Sequence, residues 1–179
     1  MPTPFKLHFG TALTLTATAI GLTLPLSALA DKTPQSLSAK VDGKVFESDD
    51  DGIMYLIPTK GVLNLIASTK GASAYPPPKT PVDKLSINCS SFDGKPRKYT
   101  FANSGSRICD ISFTKGVSQK PFGDPVAEYR LVGDKGQLEI TSVKGKVIEG
   151  TFNFELVEVK TKAKMSITGG TFKAEDRQL

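Results

Sequence analysis

The sequence predicts an all-β fold: an antiparallel β-sandwich or barrel of about nine or ten short strands with one disulfide. Three observations predict it. Apolar and polar residues alternate in run after run, the period of a half-buried strand. Turn signals rich in Gly, Asp and Lys recur about every eight to twelve residues. No stretch carries the three-to-four-residue apolar spacing of an amphipathic helix.

The elements follow in order. Asp31 to Gln35 is polar and reads as a frayed start. "SLSAKV" alternates Leu37, Ala39 and Val41, and Asp42-Gly43 is a hairpin turn signal leading to Val45 and Phe46. Ile53 to Ile57 is nearly all apolar, as in a strand covered on both faces. "VLNLIAS" (62–68) is the next strand, ended by Lys70-Gly71. "YPPPKTP" (75–81) lacks too many ladder N–H groups to lie inside a sheet, so it reads as a stiff extended crossing between two sheets. "KLSINCS" places Leu85, Ile87 and Cys89 on one face; "CDISF" does the same for Cys109, Ile111 and Phe113. "EYRLV", "QLEIT", "KVIEGTFNFEL" and "MSITGGTF" complete the set, with turns expected at Gly133–Gly136, Lys144-Gly145 and Lys160–Lys162.

The last two segments share the tripeptide Gly-Thr-Phe, at 150–152 and 170–172. Phe152, Phe154 and Leu156 share one parity, but Ile167 and Phe172 do not. One residue must be absorbed between them, and Gly169-Gly170 suits a β-bulge. A repeat array needs at least three copies, so this reads as one hairpin with "KTKAK" at its exposed end.

The N-terminus reads as a secretory signal peptide over residues 1–30. Lys6 precedes an apolar run from Thr11 to Leu26, and Ala28 and Ala30 occupy the −3 and −1 positions of a cut after Ala30. The run is short for a bilayer span and Pro25 interrupts it. The single domain expected from 31 to 179 then has 149 residues, enough for one sizeable core. Removing Lys6 from the 23 basic residues leaves 22 against 18 acids, a net charge of +4. That mild excess lacks the continuous basic stripe with stacking aromatics that nucleic acid requires, so no nucleic-acid partner is expected. Periplasmic or secreted localisation follows from the leader, with no membrane span after cleavage.

Export also reaches an oxidising compartment, and Cys89 and Cys109 are the only cysteines, so they are expected to pair. Closing that loop contributes about 3 kcal/mol in the chain-entropy view. The only histidine, His8, lies in the leader. The mature chain therefore has no Ser-His-Asp triad, Cys-His pair or His metal cage. Catalysis would fall to carboxylates, Lys, Tyr or hydroxyls. Asp124, Glu128 and Glu139 are the carboxylates considered for glycoside chemistry, but nothing in their spacing brings them together. Glu47, Asp49 and Asp51 match positions 1, 3 and 5 of a calcium loop, with Gly52 at position 6; Pro58 stands where the bidentate Glu belongs. A solvated acidic turn is the better reading. Asn88-Cys89-Ser90 has the form of a glycosylation acceptor but lies in a core-facing strand. Tyr75 and Tyr99, with Phe92 and Phe101, are candidates for an exposed aromatic patch; Lys160, Lys162 and Lys164 are candidate partner contacts.

"VDGKVFES", "ITSVKGKVIEGTFNFELV" and "ITGGTFKA" resemble small exported bacterial proteins and lipoproteins of a domain-of-unknown-function group. Members carry an early G-K-x-F element and end on G-T-F-x-F and I-T-x-G-x-F. The resemblance covers the two ends of the mature chain and implies an all-β protein of the bacterial envelope, without catalytic residues. This chain departs from the lipoprotein members in having no Cys after the leader. The expected function is a non-enzymatic exported β-domain that binds a protein partner in the cell envelope without cofactors, as an inhibitor or immunity protein does. A barrel carrying a small apolar ligand stands second, and an envelope hydrolase using carboxylates third.

Overall fold

A computed structural model describes residues 34–57, 61–101, 108–117 and 125–177. The expected leader and its cleavage position lie outside these residues, as do Pro58 and Asp124.

Ten strands form one antiparallel sheet that curls into a nearly closed barrel, with no division into two packed sheets. They are β1 (Ser36–Val41), β2 (Lys44–Ser48), β3 (Ile53–Leu56), β4 (Gly61–Ser68), β5 (Val82–Phe92), β6 (Arg97–Thr100), β7 (Cys109–Val117), β8 (Ala127–Lys144), β9 (Val147–Glu158) and β10 (Lys164–Glu175). A 3-10 turn at Asp50–Gly52 separates β2 from β3. The order is β2-β1-β10-β9-β8-β7-β5-β4-β3, and β6 pairs with β8. Both turn residues of the β1–β2 hairpin, Asp42 and Gly43, have positive φ (48° and 78°), as a tight two-residue hairpin requires.

The period-2 pattern becomes an inside and an outside. Leu37, Ala39 and Val41 point inward from β1, and Met165 and Ile167 from β10. Ser38, Lys40, Thr151, Ser166 and Thr171 point outward. The interior is packed with the chain's own side chains, including Phe46, Phe113, Phe152, Phe154 and Phe172. Polar outside and apolar inside reverse the pattern of a membrane-spanning barrel.

The disulfide joins Cys89 and Cys109, directly opposite each other on β5 and β7, with Cα atoms 4.0 Å apart. Both face the core. The bulge in β10 also forms. Ile167 pairs with Phe154 and Gly170 with Phe152, so β10 advances three residues while β9 advances two. Gly169 takes a φ of 61°, and its N–H donates to Asn153 Oδ1 at 2.8 Å.

That bulge brings the two Gly-Thr-Phe copies face to face. Gly150 pairs with Phe172, Thr151 with Thr171, and Phe152 with Gly170. Each ring lies over the glycine opposite. A Cβ on Gly170 would stand 2.4 Å from the Phe152 ring, and one on Gly150 2.5 Å from that of Phe172. Gly136 of β8 repeats the arrangement against Phe154, its partner in the ladder. The rings form a continuous row: Phe101 meets Phe154 edge-on, Phe154 stacks on Phe152 at 5.4 Å, and Phe152 tilts against Phe172 at 6.3 Å.

Three local expectations are corrected. Gly133–Gly136 does not end a strand: β8 runs through it, carrying three extra residues between Leu131 and Gly136 as a wide bulge. The first half of β8 can then pair with β7 and the second with β6. The proline-rich segment does not cross between sheets, because β4 and β5 are ladder neighbours; it is an exposed loop between them. Gln35 is not frayed; it is buried, for reasons given below.

Gly170→Ala should lower unfolding stability by about 1–3 kcal/mol, because a methyl group must displace the Phe152 ring. Denaturant melts should show the second substitution Phe152→Leu recovering part of that loss. Additive losses would show that the ring and the glycine are not coupled.

Candidate functional site

Among the described residues, polar or open surface is found at the seam where the sheet closes, in a gap in the wall below it, and at one mouth.

At the seam the chain passes from β2 to β3 through the Asp50–Gly52 turn. β2 pairs with β1 below the crossing; above it β3 pairs with β4 and meets the end of β10 through a parallel bridge between Tyr55 and Asp176. Four segments converge there. Gln35 N–H donates to Asp50 Oδ1 at 2.8 Å, and its Nε2 donates to the carbonyls of Asp50 and Ile53, both at 3.2 Å. Its Oε1 accepts from Glu175 N at 2.9 Å. Arg177 grips Asp50 with two parallel bonds, Nη1 to Oδ2 at 2.9 Å and Nη2 to Oδ1 at 2.8 Å, and its Nε reaches Glu175 at 2.9 Å. These carboxylates hold the Arg177 guanidinium still more firmly in its charged form. Burial explains why Gln35 is fixed: each polar atom of its amide has a partner.

The wall gap lies between β2 and the lower ends of β5 and β7, a groove of about 280 Å³ lined by Val41, Lys44, Val45, Phe46, Phe113 and Lys115, with Asp42, Glu47, Thr69 and Asp83 also on it. Phe46 and Phe113 meet edge-on at 5.4 Å on its floor. Lys115 Nζ sits 5.6 Å from the Tyr129 ring centroid. At the upper mouth, Ile57, Gly61, Ser91, Phe92, Asp93 and Gly94 surround an open depression of about 590 Å³.

The residues singled out in the sequence are scattered. Tyr75 is 97 % exposed on the proline-rich loop. Tyr99 is 2 % exposed and belongs to the core, which corrects its place as a surface candidate: opposite Leu138 its register turns it inward, beneath the Arg97 guanidinium. Phe92 is likewise buried and Phe101 half-buried, so no aromatic patch forms with Tyr75. Lys160 and Lys162 lie on the exposed β9–β10 turn and Lys164 at the start of β10, where it pairs with Glu155 at 3.3 Å. In the calcium-like stretch, Asp49 Oδ2 accepts from Gly71 N at 3.2 Å, Asp51 is exposed, and Glu47 lies on β2. Asp50, the residue the alternating pattern skips, is the carboxylate that Gln35 and Arg177 engage. Among the described residues no group of three or more His, Cys, Asp or Glu is placed to hold a metal ion. Glu128 and Glu139 stand eleven positions apart along β8, with Glu128 paired to Arg130 at 2.7 Å, and they do not form a carboxylate pair.

Gln35, Asp50 and Arg177 were missed because each is near an end or inside an acidic run, where polarity alone reads as solvent. Lys44 and Lys115 were missed because the groove joins strands 70 residues apart.

Three further groups carry perturbed chemistry. Tyr55 and Tyr99 have phenol pKa values pushed up by burial; the Asp176 charge adds to the shift at Tyr55. The Tyr99 hydroxyl has no hydrogen-bond partner among the described residues. Glu158, buried at the end of β9, accepts from the Thr161 N–H and hydroxyl, and these bonds lower its pKa below the usual 4.5.

Comparison with protein-family models, curated proteins and solved structures finds no match for this chain.

Tyr99→Phe should leave stability unchanged or raise it, since it removes an unpaired buried hydroxyl; a clear loss in a thermal melt would mean the hydroxyl is paired. Glu158 has a folded pKa below its unfolded one. Its contribution is thus present above about pH 4.5 and is lost as pH falls through the folded value. Melts from pH 7 to pH 3 should show a smaller acid loss for Glu158→Gln than for the parent chain. Parallel curves would remove Glu158 from the acid response.

Proposed function

We propose that this chain is a non-enzymatic exported β-barrel that binds a protein partner in the cell envelope, as an inhibitor or immunity protein does. One observation carries the reading: the barrel interior is filled by its own aromatic and aliphatic side chains, which leaves the outer surface and the wall gap for recognition. Exposed Tyr75 and Val45 and the lysines of the β9–β10 turn add surface features of the kind found at interfaces. A bacterial envelope location is supported by the leader-like N-terminus and by the disulfide. A second reading, a carrier of a small apolar ligand, is favoured by the depression at the upper mouth, whose size falls in the usual range of ligand sites.

The test is capture from a periplasmic extract on the immobilised 31–179 chain, followed by native mass spectrometry. A stoichiometric protein partner, retained after washing, is the expected result. A bound lipid with no protein favours the second reading. Hydrolase activity abolished by changing one carboxylate overturns both.

A further inference from the structure

We propose that the proline-rich loop between β4 and β5 is a recognition element, whose Tyr75 and Pro76–Pro78 dock in an aromatic-lined groove of a protein partner. This rests on the partner-binding reading and names the surface used and the chemistry of the groove that receives it.

The loop stands on a fixed base. At its root Thr69 N–H donates to the Asp83 carbonyl at 3.0 Å, and Asp83 N–H donates to Thr69 Oγ1 at 2.9 Å. The first side of the loop is tied to the seam. Lys70 N–H donates to the Glu47 carbonyl at 2.7 Å, Gly71 N–H to Asp49 Oδ2 at 3.2 Å, and Ser73 Oγ to the Asp51 carbonyl at 2.9 Å. Ala74 N–H closes a turn onto the Gly71 carbonyl at 3.1 Å.

Beyond Ala74 the fastening stops. From Tyr75 to Pro81 no residue forms a hydrogen bond, ion pair or ring contact among the described residues. The segment is stiff without them. Proline fixes its own φ and restricts the residue before it, and Tyr75, Pro76 and Pro77 each precede a proline. Pro76 and Pro77 are thereby confined to extended, polyproline-type backbone, with Tyr75 at its head across a cis peptide bond.

What this backbone presents is apolar. Tyr75 is 97 % exposed, and Pro76 and Pro77 beside it are exposed as well. One exposed apolar side chain is ordinary on a protein surface. Three consecutive rings on a pinned base, with carbonyls that accept nothing, form a continuous ledge. Flat aromatic side chains complement such rings, and a Trp or Tyr in the groove also supplies a donor for the free carbonyls. A segment already ordered loses little conformational entropy on docking.

The test places a benzophenone amino acid at position 75 of the folded 31–179 chain, and in a second sample at Thr151, on the outer face of β9. Each is irradiated in a periplasmic extract. Position 75 should join one protein, at a groove lined by Trp, Tyr or Phe, and position 151 should not. Pro76→Ala with Pro77→Ala should lower the yield of that adduct about tenfold, as should Tyr75→Ser for capture without cross-linking, the loss expected when an aromatic anchor is removed. Thermal melts of these variants should stay close to the parent, since the loop tip touches nothing that holds the barrel. An adduct unchanged by the proline pair, or an adduct with lipid alone, overturns the proposal. A protein joined at position 151 but not at 75 overturns it too, while the partner-binding reading stands. No protein joined or captured at all removes both.

Discussion

The core depends on glycine and phenylalanine meeting across the ladder. Three rings, those of Phe152, Phe154 and Phe172, lie over Gly170, Gly136 and Gly150 on the neighbouring strands. A sheet bent into a narrow barrel has little room for large side chains on adjacent strands. A missing Cβ opposite each ring supplies that room, and the ring in turn covers backbone that the glycine would expose. The bulge at Gly169-Gly170 belongs to the same constraint, because without the extra residue Phe172 would face solvent.

Closure is the second requirement. A single sheet buries its inner face only if its first and last strands come together. Here they do so through side chains as well as ladder bonds: Gln35, Asp50 and Arg177 tie the start of β1, the β2–β3 crossing and the end of β10 into one polar knot. Below that knot the wall stays open, with β2 as its free edge. The same crossing that lets the seam strand change neighbours therefore joins the polar knot to the end strand of the ladder.

Much of this was legible in the sequence. Strand alternation, the disulfide and the β10 bulge are local facts, and the parity conflict between Ile167 and Phe172 has one simple resolution. What lies opposite a residue is not local. The mutual pairing of the two Gly-Thr-Phe copies needs the hairpin register, and the choice of barrel over sandwich needs the curvature that the bulges supply. Tyr99 and Phe101 share a parity, which fixes that they face the same way but not that this way is inward. Gln35 and Arg177 look like polar tails until the fold sets Asp50 between them. The wall groove was invisible for the same reason, since Lys44 and Lys115 have nothing in common along the chain.

The cross-strand disulfide has a consequence for durability. Cys89 and Cys109 bracket the β5–β6–β7 excursion at its two roots. A peptide bond cut anywhere between them leaves two pieces that remain one covalent molecule, with β5 and β7 still held in register by the sulfur bridge and by their own ladder. The excursion is thereby released from the duty of keeping the chain whole, and a single proteolytic cut there does not part the two ends of the barrel.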